Sequence, residues 1–272
     1  MSLSIAVALS LNVNKESAFD VEVLLAHVLQ VSRAYLMAFP ERILTLEQQI
    51  KFENFLEQYV KGIPVAYITG HREFWSLDFL VTQATLIPRP ETELLVELAL
   101  RELSGDKKII ADLGTGSGAI ALAIASEKPS WEVHATDKSA DALQVAKCNA
   151  ERFNLTNVIF HQGSWCKALP DQFFDLIVSN PPYIAKDDEH LRQGDLRYEP
   201  LSALMAGENG LQDLRQIICE AKNYLRKGAY LMLEHGFQQA EQVREICGME
   251  GYSKIITVRD LAGLERVTIA VN

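Results

Sequence analysis

In the first third of the chain the apolar positions recur every three or four residues. Within residues 18–31 they fall at Val21, Leu24, Leu25, Val28 and Leu29, a stripe along one side of an α-helix. Asp20 stands ahead of the stripe as its expected cap. Residues 46–60 repeat the period with Ile50, Phe52, Phe55, Leu56, Tyr59 and Val60, and Gly62 and Pro64 stop it. Residues 1–65 therefore read as a small helical domain. It carries no evident polar constellation, and His27 reads as a structural histidine on an apolar helix. Beyond Pro64 the period changes. Tyr67, Ile68, Phe74, Trp75, Leu77, Phe79, Leu80 and Val81 surround Gly70, which predicts short strands or a hairpin. Residues 66–85 are read as a connector of this kind.

From residue 86 to the end at residue 272 the pattern alternates. Pro90 opens a helix with Glu91 and Glu93 in its first turn, where carboxylates suit the positive end of the helix dipole. Apolar runs at residues 109–113, 131–136, 158–160, 173–178 and 230–234 predict strands, with helices expected from residue 119 and over 140–153. Residues 255–258 and 267–271 read as a closing antiparallel pair. Strands alternating with helices through short loops imply an α/β fold, a mostly parallel sheet covered on both faces.

Bulk properties narrow the function classes. The chain has 272 residues, 48% of them hydrophobic and 23% charged, as in ordinary globular proteins. A net charge of −10 argues against nucleic-acid binding driven by overall charge. The cysteines (Cys148, Cys166, Cys219, Cys247) form no C-x-x-C pair and the six histidines show no ligand spacing, so no structural metal is expected. Cys148, Cys219 and Cys247, in helical contexts, are read as buried small hydrophobes. No basic region precedes the apolar N-terminus and no run of about 18 apolar residues occurs, so neither a signal peptide nor a membrane span is expected. A cytoplasmic location is.

The candidate chemistry lies at strand ends. After the first strand comes Gly114-Thr115-Gly116-Ser117-Gly118, a turn whose glycines let a ligand approach the backbone at a helix N-terminus. Asp137 ends the next strand, where an acidic residue accepts bonds from ribose hydroxyls. The spacing is G-x-G-x-G, and a carboxylate at Asp112 would repel a pyrophosphate; both disfavour a dinucleotide and suit S-adenosylmethionine, whose amino group Asp112 would help to hold. Trp165, after the third strand, reads either as a stacking partner for an adenine or as a core tryptophan near the surface. The fourth strand runs into Asn180-Pro181-Pro182-Tyr183. Two prolines stop pairing and stiffen the chain. The Asn180 amide, the carbonyls and the Tyr183 ring would then suit a planar NH₂ group. Arg89, between two prolines, would orient a carboxylate or clamp a loop.

These residues together resemble class I S-adenosylmethionine-dependent methyltransferases that act on planar nitrogens, and more closely the HemK/PrmC family, the release factor glutamine methyltransferases. The resemblance rests on Arg72-Glu73-Phe74, on residues 86–93 with Pro88-Arg89-Pro90-Glu91-Thr92-Glu93, on residues 112–118, on Asn180-Pro181-Pro182-Tyr183, on Glu199-Pro200, and on Leu233-Glu234-His235-Gly236. It implies a Rossmann-like, mostly parallel seven-stranded sheet over residues 86–272, behind a helical domain that docks the substrate. It implies S-adenosylmethionine held by Asp112, Gly114, Thr115, Gly116, Ser117, Gly118, Asp137, Trp165 and Asn180. Catalysis falls to Asn180, Pro181 and Tyr183, and substrate binding to these with Pro182, Arg89 and Glu91. The implied substrate is the glutamine side-chain amide (N5) in the Gly-Gly-Gln loop of class 1 peptide chain release factors. The expected enzyme is a monomer, without metal, membrane or direct nucleic-acid contact. Three rivals remain: a methyltransferase for adenine N6 or guanine N2, a nicotinamide-dependent oxidoreductase, and a non-catalytic binding module.

Overall fold

The computed structural model describes residues 3–11, 18–207 and 209–272. The chain divides into two compact units, Met1–His71 and Arg72–Asn272.

The first unit is helical: α1 (Ile5–Ser10), α2 (Ala18–Leu29), α3 (Arg33–Ala38), α4 (Leu46–Val60) and α5 (Val65–Thr69). The α2 stripe packs with Ile5, Leu36 and Phe52 in one core, as its period requires. On α4 only part of the expected stripe turns inward. Phe52 is buried while Ile50 and Val60 are exposed, because they lie off the face that Phe52, Phe55, Leu56 and Tyr59 share. Thr45 and Gln48 close a reciprocal capping box on α4. Asp20 is not a cap: it is the third residue of α2, and it accepts a hydrogen bond from the Tyr59 hydroxyl at 2.9 Å. The segment after Pro64 begins with a helix, not a strand. Pro64 occupies the N-cap of α5 and Gly70, at φ 76°, its C-cap, so Tyr67 and Ile68 are helical.

The hairpin follows as β1 (His71–Phe74) and β2 (Leu77–Leu80). Its two turn residues, Trp75 and Ser76, have φ of 51° and 58°, values that usually select glycine or asparagine. Anchors within the second unit hold Trp75 there. Its backbone N–H donates to Glu93 Oε1 and its indole to Glu127 Oε1, both at 2.8 Å.

The second unit continues through a 3-10 turn at Pro90–Thr92 into α6 (Glu93–Glu102), β3 (Ile109–Leu113), α7 (Ala119–Glu127), β4 (Glu132–Asp137), α8 (Ala140–Arg152), β5 (Val158–Gln162) and β6 (Phe174–Ser179). It ends with α9 (Gln212–Ala221), β7 (Leu225–Glu234), α10 (Ala240–Met249), β8 (Ser253–Arg259) and β9 (Glu265–Val271). The sheet has seven strands in the order β5-β4-β3-β6-β7-β9-β8, parallel except where β9 runs against β7 and β8. Alternate residues face opposite layers. Ile110, Val133, Leu176 and Met232 pack with α6 and α7; Ala111, Ile177, Leu231 and Leu233 pack with α9 and α10. Burial on both faces explains the unbroken apolar runs of β3 and β6. Cys247 is buried as expected, but Cys148 is half-buried and Cys219 exposed, on the side of α9 away from Leu214, Ile217 and Ile218. No helix among the described residues is long and apolar enough to cross a membrane.

The strand order reverses between β3 and its neighbour β6. A crevice therefore opens beyond the carboxyl ends of these two strands.

Candidate active site

The first side of the crevice is a backbone turn. Beyond Leu113 the chain passes through residues 114–118 onto α7, and Gly114 and Gly118 have φ of 72° and 87°. A Cβ on Gly114 would meet the Trp165 ring at 2.9 Å, and one on Gly118 would meet the Leu122 side chain at 2.9 Å. Nothing lies within 4 Å of such an atom on Gly116, so the middle of the turn is open to a ligand. Carboxylates hold this turn from behind. Asp112, fully buried, accepts from Thr115 Oγ1 at 2.6 Å and from the Ala121 N–H at 3.2 Å through Oδ2. Its Oδ1 is buried without a partner. Burial outweighs those two bonds, and with the charge of Asp137 nearby it pushes the Asp112 carboxyl up to about 7. Asp137 accepts from the Gly116 N–H at 3.0 Å and the Ser139 N–H at 2.9 Å. Asn149 on α8, also buried, donates to Ser117 O at 2.9 Å and Leu80 O at 3.0 Å, tying the turn to the hairpin.

The second side is built from side chains. Ser179 ends β6 opposite Leu113 and its hydroxyl donates to Leu113 O at 2.6 Å. The next residue, Asn180, donates from Nδ2 to Thr92 Oγ1 at 3.0 Å. The Thr92 hydroxyl lies within hydrogen-bonding reach of the Glu234 carboxylate at the end of β7. Tyr183 Oη stands 3.4 Å from Glu234 Oε1, a long contact. Glu234 is buried, and burial raises its carboxyl to about 7. Burial beside that carboxylate also raises the Tyr183 phenol well above its ordinary range.

A third wall comes from residues 185–204. Bonds from Ile184 N–H to Leu204 O at 2.9 Å and from Ala206 N–H to Ile184 O at 3.0 Å close the base of this segment. Glu199, its side chain fully buried, pairs with Arg89 at 2.5 Å. Burial raises the Glu199 carboxyl, and Arg89 opposes that shift. Arg89 therefore clamps a loop.

These walls enclose an open cavity of about 110 Å³, a concave site of the kind that takes a small-molecule ligand. Gly114, Thr115, Gly116, Ser117, Asp137 and Trp165 line it from one side. Arg89, Thr92, Asn180 and Pro182 line it from another, with Pro200, Ser202 and Ala203 above. Five of the expected residues do not line it. Asp112 lies behind the turn, Gly118 caps α7, and Glu91 is exposed on the 3-10 turn. Pro181 is buried and Tyr183 packs into the core near α9 and α10. Thr92, Asn149, Glu199 and Glu234 belong to the site; Thr92, Glu199 and Glu234 enter the sequence reading only as parts of the motifs that carry the resemblance, without a role, and Asn149 not at all. A signal existed for Glu234: like Asp112 and Asp137, it is a carboxylate at the end of an apolar strand.

The open glycine turn, the half-buried Asp137 and the Trp165 ring fit an adenosine-bearing ligand that carries no pyrophosphate. On the opposite side stands a carboxamide with one end committed to Thr92. Residues 104–263 match a family model described as a methyltransferase domain, and residues 6–70 one described as the PrmC N-terminal domain. A release factor glutamine methyltransferase of Coxiella burnetii is 50% identical over 259 residues, 95% of this chain and 93% of that protein. One from Salmonella typhimurium is 52% identical over 249 residues, 92% of this chain and 90% of that protein. In fold, a solved methyltransferase from Pyrococcus furiosus aligns with a TM-score of 0.55 at 20% identity, over 80% of this chain and 98% of that one.

Proposed function

The chain belongs to the release factor glutamine methyltransferases, and from that premise we propose how its residues share the work. It is an S-adenosylmethionine-dependent methyltransferase acting on a glutamine of release factors. The target is the side-chain amide nitrogen, N5, in the Gly-Gly-Gln loop of class 1 factors. S-adenosylmethionine supplies, when bound, an electrophilic methyl group. Gly114, Thr115, Gly116 and Ser117 lie along it, with Asp137 accepting from the ribose hydroxyls and Trp165 against the adenine. Asp112 and Gly118 act from behind, by holding the turn in shape.

An amide nitrogen is a weak nucleophile because its lone pair is delocalised. Asn180 Oδ1 accepts one N–H bond of the substrate amide, and the carbonyl of Pro181, a buried residue between the cavity-lining Asn180 and Pro182, accepts the other. They aim its nitrogen and stabilise the positive charge that develops there. Pro182 and Tyr183 stiffen the loop, and the proton leaves to water after transfer. Arg89, through Glu199, fixes the wall that the entering loop passes; Glu91 meets the substrate at the rim.

One observation carries this reading: Asn180 Nδ2 is engaged by Thr92, which leaves the acceptor end of the amide for a ligand. We further assign docking of the release factor to residues 1–65, connection to residues 66–85 and the reaction to residues 86–272. The division of the chain into two compact units supports that assignment. The enzyme works as a cytoplasmic monomer without touching nucleic acid directly, in keeping with a net charge of −10.

The test is methyl transfer from radiolabelled S-adenosylmethionine to a release factor, beside a copy with the loop glutamine changed to alanine. Label on the first alone is expected. Label on DNA or RNA and on neither protein would overturn the substrate while keeping the fold and donor.

A further inference from the structure

We propose that Thr92 and Glu234 are positioning residues that fix which end of the Asn180 carboxamide faces the cavity. The proposal rests on the reading of Asn180 given above. A carboxamide is nearly symmetric in shape, and rotation about its terminal torsion exchanges oxygen for NH₂ at little steric cost. The exchange reverses its hydrogen-bonding sense. With Oδ1 toward the substrate, Asn180 accepts an N–H; with Nδ2 there, two donors face each other. Something must hold the amide one way round.

Thr92 does so by a division of its own hydroxyl. A threonine hydroxyl has one proton to give and lone pairs to receive. Above about pH 7, where the Glu234 carboxyl within its reach is ionised, that group is acceptor-only and draws the Thr92 proton. Thr92 Oγ1 then only receives, and it receives from Asn180 Nδ2 at 3.0 Å. The order of donation runs from Asn180 to Thr92, with the Thr92 proton directed towards Glu234.

Two observations set this apart from ordinary scaffolding. Thr92 has helical dihedrals (φ −69°, ψ −19°) where the 3-10 turn runs into α6, and its hydroxyl makes no bond to the helix backbone; it is turned to Asn180 instead. Glu234 is 1% exposed and its Oε2 is buried with no hydrogen-bond partner, an unfavourable place for a carboxylate. The cation that acts on it, Arg266, is directed at Asp260 with Nε at 3.0 Å. Both side chains give up a stabilising use, and what they share is the Asn180 amide.

The test uses the full chain with Thr92→Val, Thr92→Ser and Glu234→Gln. Valine keeps the shape of threonine without the hydroxyl. Glutamine keeps the shape of glutamate but can donate, which lets Thr92 turn its proton towards Asn180. Single-turnover methylation of a release factor, its KM, calorimetric affinity for S-adenosylmethionine and thermal melting are measured for each. Thr92→Val and Glu234→Gln are expected to slow the methyl-transfer step by roughly ten- to a hundredfold, the effect of losing one preorganised contact. Cofactor affinity and KM are expected to stay within about threefold, and Thr92→Ser to retain most of the rate. On an Asn180→Ala background Thr92→Val should add nothing, because it acts through the missing amide. Full activity of Thr92→Val, or a loss that multiplies with that of Asn180→Ala, would overturn the proposal. A loss through KM or cofactor affinity alone would overturn it too. Should Thr92→Val fail to fold, Glu234→Gln decides by the same readouts. If Asn180→Ala is itself fully active, the reading of Asn180 fails first; if it is inactive while Thr92→Val is not, only the present proposal does.

Discussion

Two strand ends meet at the crevice and they are made by different means. At the end of β3 the backbone does the work: a turn in positive φ, held by Asp112 and Asp137 through amides and a hydroxyl of the turn and of α7. At the end of β6 a single side-chain amide does it, and its partner Thr92 lies 88 residues away in the chain. The backbone site is a shape, sensitive to anything that adds volume. The side-chain site is an orientation, sensitive to changes that leave volume alone. On the roles proposed above, one enzyme thus holds the donor by steric fit and the acceptor by hydrogen-bond sense.

The largest effect expected of this contrast is at Asn180. Asn180→Ala should lower kcat by roughly 10²- to 10⁴-fold, in the range for removing a preorganised transition-state contact. Affinity for S-adenosylmethionine, measured by calorimetry, should change little; equal losses in both would merge the two sites into one. Next is the clamp. Arg89→Met leaves the Glu199 carboxylate buried without its cation and should cost about 2–3 kcal/mol, less than for a fully enclosed pair, because the arginine side chain is 28% exposed. Amide hydrogen exchange should locate the loss in residues 185–204; protection unchanged there would show that the wall stands without the bridge. On the backbone side, Gly114→Ala places a methyl group against Trp165 in a left-handed conformation, a strain of about 1–3 kcal/mol. Here cofactor affinity should fall while the single-turnover rate at saturating cofactor persists, the reverse of Asn180→Ala.

The remaining effect is electrostatic, and it shows only as a slope with pH. The Asp112 carboxyl is raised from 3.8 to about 7 and that of Glu234 from 4.5 to about 7. Between those values the native chain holds protons that the unfolded chain releases, so stability falls as pH rises through the window. Asp112→Asn should flatten that fall by up to about 1.4 kcal/mol per pH unit, read from urea unfolding at a series of pH values. A slope unchanged by the substitution would mean that Asp112 is ionised throughout.

The same contrast governs what the sequence discloses. The parallel strands announce themselves as apolar runs because both faces of the sheet are covered, and the glycine turn is legible because its geometry is written in consecutive residues. Asp137 could be anticipated from its place at a strand end. Thr92 could not, since nothing within its own segment says that its hydroxyl turns away from the helix it begins. Arg89 left two alternatives open until the structure supplied Glu199, 110 residues further on. Tyr67 and Ile68 misled because a five-residue helix is too short to display a period, and Pro64 with Gly70 decides it instead. Asp20 misled because the residue type that caps a helix also serves inside one when a tyrosine from elsewhere reaches it.

The pairing of Leu113 with Ser179 has a consequence for how this chain tolerates change in length. The turn for the donor and the loop for the acceptor leave the sheet from the same rung, so their separation is set by the spacing of adjacent strands. One residue inserted into β6 would slide Asn180 by about 3.3 Å and turn alternate side chains to the opposite face. The turn after β3 would be left intact. On the proposed roles such a chain would still fold around its nucleoside and hold a methyl group ready, but the Asn180 amide that aims the substrate nitrogen would stand out of phase.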